Sequence, residues 1–304
     1  MYLRRRGPAW ASAAIEMAAD FFFPWGTYCV ACGNFIDGKR SYCICDHCIR
    51  HITWGNVEIP PDSLRENNFT GPEAAALQKE GGIPMDSVRA CMKYGLYERR
   101  LIFELKYNGH TYMARILAKI LADRVFSDAG AAELLTADYL IPVPVHKRKE
   151  KQRGFNQAAL VAGYLSGFTG IPMLKDGLVR SESTAAQRSV AGEDRLSNLH
   201  GAFLPGCRGR LSEKISGKKV ILLDDIFTTG ATAICCSRVL KEAGAARVDV
   251  LAVASGNDGA RGFFSQEPQD MQDPRKQTPR PPQDVREETP QPPQDLRNWR
   301  DLRN

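Results

Sequence analysis

One stretch of thirteen residues constrains this chain more than any other. Val220-Ile221-Leu222-Leu223 is an uninterrupted apolar run, and Asp224-Asp225-Ile226-Phe227-Thr228-Thr229-Gly230-Ala231-Thr232 follows it directly. Such a run reads as a strand buried on both faces, the mark of a parallel sheet covered by helices. Two acids at its C-terminal end bring polar chemistry to the sheet edge where open α/β sheets bind ligands. The Thr/Gly loop that follows opens a helix, so its backbone N–H groups and the helix N-terminus make an anion site suited to a phosphate monoester. Thr228, Thr229 and Thr232 add hydroxyl donors around Gly230 and Ala231, while Asp224 and Asp225 can accept hydrogen bonds from a vicinal diol. Diol and phosphate together describe a ribose 5-phosphate. A Walker-type ATPase strand is excluded, because the chain has no G-x-x-x-x-G-K-[ST] and Gly217-Lys218-Lys219 is not one. A plain capped strand-to-helix turn is the weaker reading, since unpaired carboxylates are costly at the end of a buried strand.

The flanking pattern fits the same class. Residues 97–107 and 111–126 carry helical spacing, with Asn108-Gly109 as the stop between them. Tyr139–Val145 is β-branched with prolines at 142 and 144, which predicts a strand ending in a constrained turn. Helices are predicted over 155–168 and after Gly230, and Val248–Ala254 is a second central strand. Strands alternating with helices predict an α/β domain with a parallel sheet. After the 139–145 strand, His146 to Arg153 holds five Lys and Arg residues within eight positions. Arg180, Gln187, Arg195 and Asn198 lie in or beside a polar stretch from Ser181 to Asn198 that reads as a mobile closing loop.

The cysteines are unevenly used: five of the nine lie between Cys29 and Cys48. Cys29-Val-Ala-Cys32 and Cys45-Asp-His-Cys48 are two C-x-x-C knuckles separated by twelve residues, the pattern of a structural tetrathiolate zinc ribbon. Four thiolates leave no open coordination position, so the zinc is expected to be structural rather than catalytic. Cys43, His47 and His51 are surplus to this set. Odd, clustered cysteines point to a reducing compartment and a cytoplasmic protein.

Arg4, Arg5 and Arg6 precede an apolar segment from Ala9 to Trp25, but Glu16 and Asp20 interrupt it and no small-residue cleavage site follows. The expectation is an amphipathic helix over 1–24 rather than a signal peptide, and no run of the sequence is apolar enough to span a membrane. Residues 256–304 hold 8 of the 18 prolines and are expected to form a disordered tail. That tail carries eight basic and nine acidic residues against a whole-chain charge of +6, so the body bears +7. This is basic enough to permit nucleic acid without demanding it. The expected organisation is an N-terminal helix (1–24), a ribbon (25–56), a linker (57–84), an α/β domain (85–255) and the tail.

The strand–Asp-Asp–Thr-Thr-Gly arrangement resembles the 5-phosphoribosyl-1-pyrophosphate (PRPP) motif of type I phosphoribosyltransferases. In order along the chain stand the Phe23-Pro24 lead-in, the double knuckle and Tyr94-Gly95. Leu105-Lys106-Tyr107-Asn108-Gly109, Arg153-Gly154-Phe155-Asn156-Gln157, Arg195-x-x-Asn198 and Asp224-Asp225-Ile226-x-Thr228-Thr229-Gly230 follow. Taken together they are similar to the ComF family of bacterial competence proteins and their GntX-like relatives. The resemblance implies a type I phosphoribosyltransferase-like sheet. In it, Asp224 and Asp225 would hold the ribose hydroxyls and residues 228–232 the 5′-phosphate. Arg148 and Arg153 would lie against the pyrophosphate, where guanidinium suits phosphate oxygens. Arg195 would join the two acids as a catalytic group on the closing loop. It also implies Mg²⁺ with PRPP, a transferase activity on an unidentified acceptor in nucleoside metabolism, competence-machinery partners and a link to DNA uptake. Purine-salvage members of the wider group place an acidic base where Thr228 stands, so chemistry of that kind is not expected here. The alternative is a single-stranded DNA-binding factor without turnover, against which few aromatics interleave the basic run.

Overall fold

A computed structural model describes residues 27–37, 40–59, 61, 82–107, 110–127, 129–181 and 201–256. The expected N-terminal helix, most of the expected linker, the 182–200 stretch with Gln187, Arg195 and Asn198, and the tail from 257 onward lie outside the described residues.

Within them the chain runs as helix α1 (Asp46–His51), strands β1 (Trp54–Glu58) and β2 (Ser87–Lys93), then helices α2 (Leu96–Tyr107) and α3 (Tyr112–Ser127). Strand β3 (Tyr139–Pro142) leads into α4 (Lys147–Arg153), α5 (Gln157–Thr169), β4 (Leu178–Arg180) and β5 (Phe203–Pro205). A short α6 (Leu211–Ile215), β6 (Lys219–Phe227), α7 (Ala231–Glu242) and β7 (Arg247–Ser255) complete it. The main sheet has the order β1-β2-β7-β6-β3. The β2–β7, β7–β6 and β6–β3 pairs are parallel, and only the edge strand β1 is antiparallel.

The apolar run of the sequence is the middle of β6, and its side chains alternate between two cores as strand pleating requires. Ile221 and Leu223 face one core, with Leu101 and Leu105 of α2, Leu117 and Leu121 of α3, and Val161 and Leu165 of α5. Val220 and Leu222 face the other, with Ile234 and Leu240 of α7, Leu211 and Ile215 of α6, and Leu178 and Phe203 of the β4–β5 hairpin. The result is the expected α/β layering of a mostly parallel sheet between helices.

Three local features differ from the sequence expectation. Strand β3 stops at Pro142 rather than Val145, because Pro142 and Pro144 have no N–H for a ladder; Val143 N–H makes the last such bond, to Leu223 O at 2.9 Å. The basic segment 147–153, for which the sequence pattern predicted no helix, is one. His146 caps it through Nδ1, which accepts the Arg148 N–H at 3.1 Å, and Gly154 ends it in the left-handed region at φ 87°. Finally, the ribbon residues Cys29, Ile36, Ile44, Cys48 and Ile52 belong to the same core as α2 and α3. Tyr42 Oη donates to Asp123 of α3 at 2.7 Å, and the Arg124 guanidinium lies 4.9 Å from the Trp54 ring centre. The ribbon is thus packed onto the α/β body.

Candidate functional site

Strand β6 outruns its neighbour. Its ladder with β3 ends at Leu223, whereas its ladder with β7 continues through Asp224, Ile226 and Phe227. Asp224 and Asp225 therefore stand in a notch beyond the C-terminal end of β3. Successive residues of a strand point to opposite faces, and the two carboxylates have different surroundings accordingly. Asp224 Oδ1 turns back to accept the Asp225 N–H at 2.8 Å. Burial first, and the neighbouring Asp225 second, push the Asp224 carboxyl up to about 7. On the α7 side Cys236 is buried and senses both Asp224 and Arg180 of β4. Asp225, on the opposite face, accepts an ion pair from Lys106 Nζ of α2 at 2.8 Å, with both side chains under one-fifth exposed (19% and 16%). Burial opposes the lysine's charge, but Asp225 and then Asp224 outweigh it, so its pKa stands above the usual lysine value.

The loop after β6 is built as an anion cradle. Thr228 is exposed and Thr229 half-buried, and Thr229 Oγ1 accepts the Ala231 N–H at 3.4 Å. Gly230 sits at φ 86° and caps the twelve-residue α7 without a side-chain hydrogen bond. An L side chain is strained at that φ, so glycine is required where the chain turns into the helix. Ala231 is buried and Thr232 half-buried in the first turn of α7. The first turn of α7, with the positive end of the helix dipole, begins within four residues of the end of the strand that carries the acids.

Beside the notch, α4 carries Arg148, which is exposed, and Arg153, which is half-buried. Asn156 anchors this corner, its Nδ2 donating to Val143 O at 2.9 Å and its Oδ1 accepting the Ala159 N–H at 3.3 Å. The structure thus brings Asp224, Asp225 and residues 228–232 into one continuous edge, with α4 following the adjacent strand. Arg195 lies outside the described residues. Lys106 was missed as a site residue by sequence reasoning, although it stands inside the Leu105–Gly109 motif. A lysine on the strongly apolar face of a helix was the available signal.

The four knuckle cysteines converge. The Sγ atoms of Cys29, Cys32, Cys45 and Cys48 all lie within 4.8 Å of one another, and Cys32 and Cys45 are 3.7 Å apart. Tetrahedral zinc with sulfur at about 2.3 Å needs sulfurs spaced by about 3.8 Å, so the set fits the ion. Backbone N–H groups of Cys45 and Cys48 point at Cys29 Sγ and Cys45 Sγ at 3.3 and 3.4 Å, which suits thiolates. Gly33 at φ 78° closes the first knuckle. Without a cation, burial pushes Cys32 up to about 11, and Cys48 also upward; a divalent ion would reverse both. Cys43 stays outside this group. His47 is turned toward the Tyr97 hydroxyl at 3.2 Å, and His51 Nδ1 is 2.7 Å from His47 O. The cluster could hold a structural zinc.

No protein-family model matches the chain. Competence protein F of Haemophilus influenzae is 30% identical over 154 residues, covering 51% of this chain and 66% of that protein. DNA utilization protein YhgH of Salmonella typhimurium is 30% identical over 207 residues, covering 68% of this chain and 88% of that protein. The chain belongs to the ComF family. Among solved structures it is similar to a hypoxanthine phosphoribosyltransferase from Trypanosoma cruzi, with 19% identity and a TM-score of 0.32. That likeness covers 52% of this chain and 75% of the other. At so low a score it says nothing of ligand or chemistry; for this ComF member the strand order and the β6–loop–α7 geometry carry the fold. Among the described residues no helix is long and apolar enough to cross a membrane.

Proposed function

We propose that this ComF-family chain binds PRPP with Mg²⁺ and transfers its phosphoribosyl group to an acceptor nucleophile, in the service of DNA uptake. The observation that carries the reading is the notch itself, with two carboxylates past the end of β3 and a left-handed glycine turning their strand into a helix N-terminus. Asp224 and Asp225 accept the ribose 2′- and 3′-hydroxyls. The loop N–H groups and the hydroxyls of Thr228, Thr229 and Thr232 hold the 5′-phosphate, with Gly230 and Ala231 giving the backbone its approach. Arg148 and Arg153 on α4 take the pyrophosphate bidentately, and Arg195 closes over it. With the sugar fixed at both ends, C1 of the ribose is presented to the acceptor as its bond to pyrophosphate breaks. The carboxylates lie where they stabilise positive charge developing on the ring. Mg²⁺ supplies charge neutralisation for the departing pyrophosphate. The cytoplasm is the compartment proposed, with proteins of the competence machinery as partners.

Calorimetry with Mg²⁺–PRPP on the full chain tests this. The wild type is expected to bind and Asp224→Asn/Asp225→Asn to lose binding; a silent wild type refutes it.

A second reading, single-stranded DNA binding without turnover, gains one observation. His47, His51 and Tyr97 pack ring against ring at the ribbon, tilted by 33° and 34°, with ring centres 4.3 and 5.2 Å apart along the series. Both histidines are exposed beside the exposed Arg50. Exposed rings beside a cation suit unpaired bases. Affinity for an oligonucleotide that falls steeply with salt and collapses in His51→Ala/Tyr97→Ala supports it. Unchanged affinity in that variant removes it.

A further inference from the structure

The ion pair at the back of the notch is not explained by core packing. Lysine is almost never buried unless paired, and Lys106 reaches from a helix otherwise buried through Leu101, Ile102 and Leu105 to place its ammonium against one carboxylate of the pair. Among the described residues its hydrogen-bonded partner is Asp225, 2.8 Å away, with Asp224 and Tyr94 also favouring its charge. Asp224, on the other face, is buried, accepts the Asp225 N–H, and feels the Lys106 charge more weakly than Asp225 does. The notch therefore contains two acids and one resident cation rather than two bare acids.

We propose that Lys106 is the built-in counter-ion of the ligand site, a positioning residue that fixes the Asp225 carboxylate for a ribose hydroxyl and lets a polyanionic sugar phosphate approach. This rests on the phosphoribosyl reading above. A ligand with a 5′-phosphate and a pyrophosphate carries several negative charges, and two unscreened carboxylates at the ribose would repel it. The ammonium cancels one of them from behind. Having donated one N–H to Asp225, it keeps two more donors. It also favours the ionised form of Asp224 over a protonated carboxyl, which would cost the diol one of its acceptors.

The pH dependence follows from the groups around Asp224. These are Asp225 on its own strand, Lys106 on α2, Cys236 on α7 and, beyond Cys236, Arg180 on β4. Lys106 is the cation among them that favours the ionised form of Asp224. Affinity should rise with pH as that carboxyl ionises, and loss of the lysine should move the rise to higher pH.

The test is titration calorimetry of Mg²⁺–PRPP on full-length wild type, Lys106→Gln, Lys106→Met, Lys106→Arg, Asp225→Asn and Lys106→Gln/Asp225→Asn, from pH 6 to 8.5. Lys106→Gln is expected to weaken binding about tenfold at pH 7.5, which is about 1.4 kcal/mol, and to shift the rising limb upward. Lys106→Arg should recover most of both effects. In the Asp225→Asn background the lysine substitution should add little, because its partner is gone. Lys106→Gln keeps the chain length and a donor, so it serves where Lys106→Met does not fold. Binding by Lys106→Gln within twofold of wild type and an unmoved pH limb overturn the proposal alone. So does a full tenfold loss persisting in the Asp225→Asn background. A wild type that does not bind PRPP overturns the phosphoribosyl reading and this inference with it, and is recognised from the wild-type titration.

Discussion

Asp224 is a carboxyl whose fold works against its charge, and this makes an unusual prediction: replacing it should stabilise the protein. Burial and Asp225 hold its pKa at about 7 against a reference of 3.8. A raised carboxyl pKa means that the folded state binds the proton more tightly than the unfolded state. The contribution of this group is therefore least unfavourable in acid, and its cost grows as pH rises from the unfolded value of about 4 through the folded value of about 7. Each unit is worth 1.36 kcal/mol. Linkage gives a cost of about 2 kcal/mol at pH 5.5, growing to about 4 kcal/mol by pH 8. Asp224→Asn removes the charge and keeps an oxygen to accept the Asp225 N–H. Urea unfolding of zinc-loaded protein at pH 5.5 and 8 measures the difference. The variant should be more stable at both, by about twice as much at pH 8, where the melting temperature should rise by roughly 8–15 °C. The same variant should bind Mg²⁺–PRPP poorly, a site trading stability for function. A variant no more stable than wild type at pH 8, or a gain that does not grow with pH, refutes the reasoning.

Two further outcomes test how the ribbon is joined to the body. Glu98 is buried (1% exposed), and its carboxylate accepts the N–H groups of Thr53 and Gly95 at 2.6 and 3.0 Å. Glu98→Ala leaves both donors unpaired and should cost about 2–4 kcal/mol in urea unfolding, with Glu98→Gln, which keeps one acceptor oxygen, intermediate. Cys48→Ser should lower bound zinc, read by metal analysis, to well under one ion per chain. Because Cys48 lies in the same core as Leu101 and Leu105, it should also lower the unfolding midpoint of the whole described body rather than release a separate early transition.

What was legible in the sequence is what is local in it. The β6 run, its two acids and the glycine of the turn occupy eleven consecutive residues, and each knuckle needs four, so composition and spacing were enough. The helix α4 was not legible because its seven residues hold no apolar position; it exists through a histidine cap at one end and a left-handed glycine at the other, where a basic run reads as a solvated turn. Strand β1 was hidden because Trp54–Glu58 is short and gains its partner only through antiparallel pairing with β2, across the Pro- and Gly-rich stretch between them. Lys106 shows the deeper limit. The acid nearest it in sequence, Glu104, meets His110 instead, and the partner of Lys106 lies more than a hundred residues away on another element.

The same helix explains why the ribbon and the notch cannot be treated as separate modules. At its first turn α2 carries Glu98, which holds the main chain at Thr53 just before β1, and Tyr97, whose hydroxyl meets His47 of the ribbon helix. In its last turn it carries Lys106. Its buried face, Leu101, Ile102 and Leu105, shares one core with Cys29, Ile44 and Cys48. Twelve residues at 1.5 Å each make a strut of about 18 Å, with His47 of the ribbon helix met at one end and the Asp225 carboxylate at the other. A closely packed interior transmits such displacements rather than absorbing them. A disturbance that tilts α2 at the ribbon therefore moves the ammonium away from Asp225, whose partner must stay within hydrogen-bond reach to be of use.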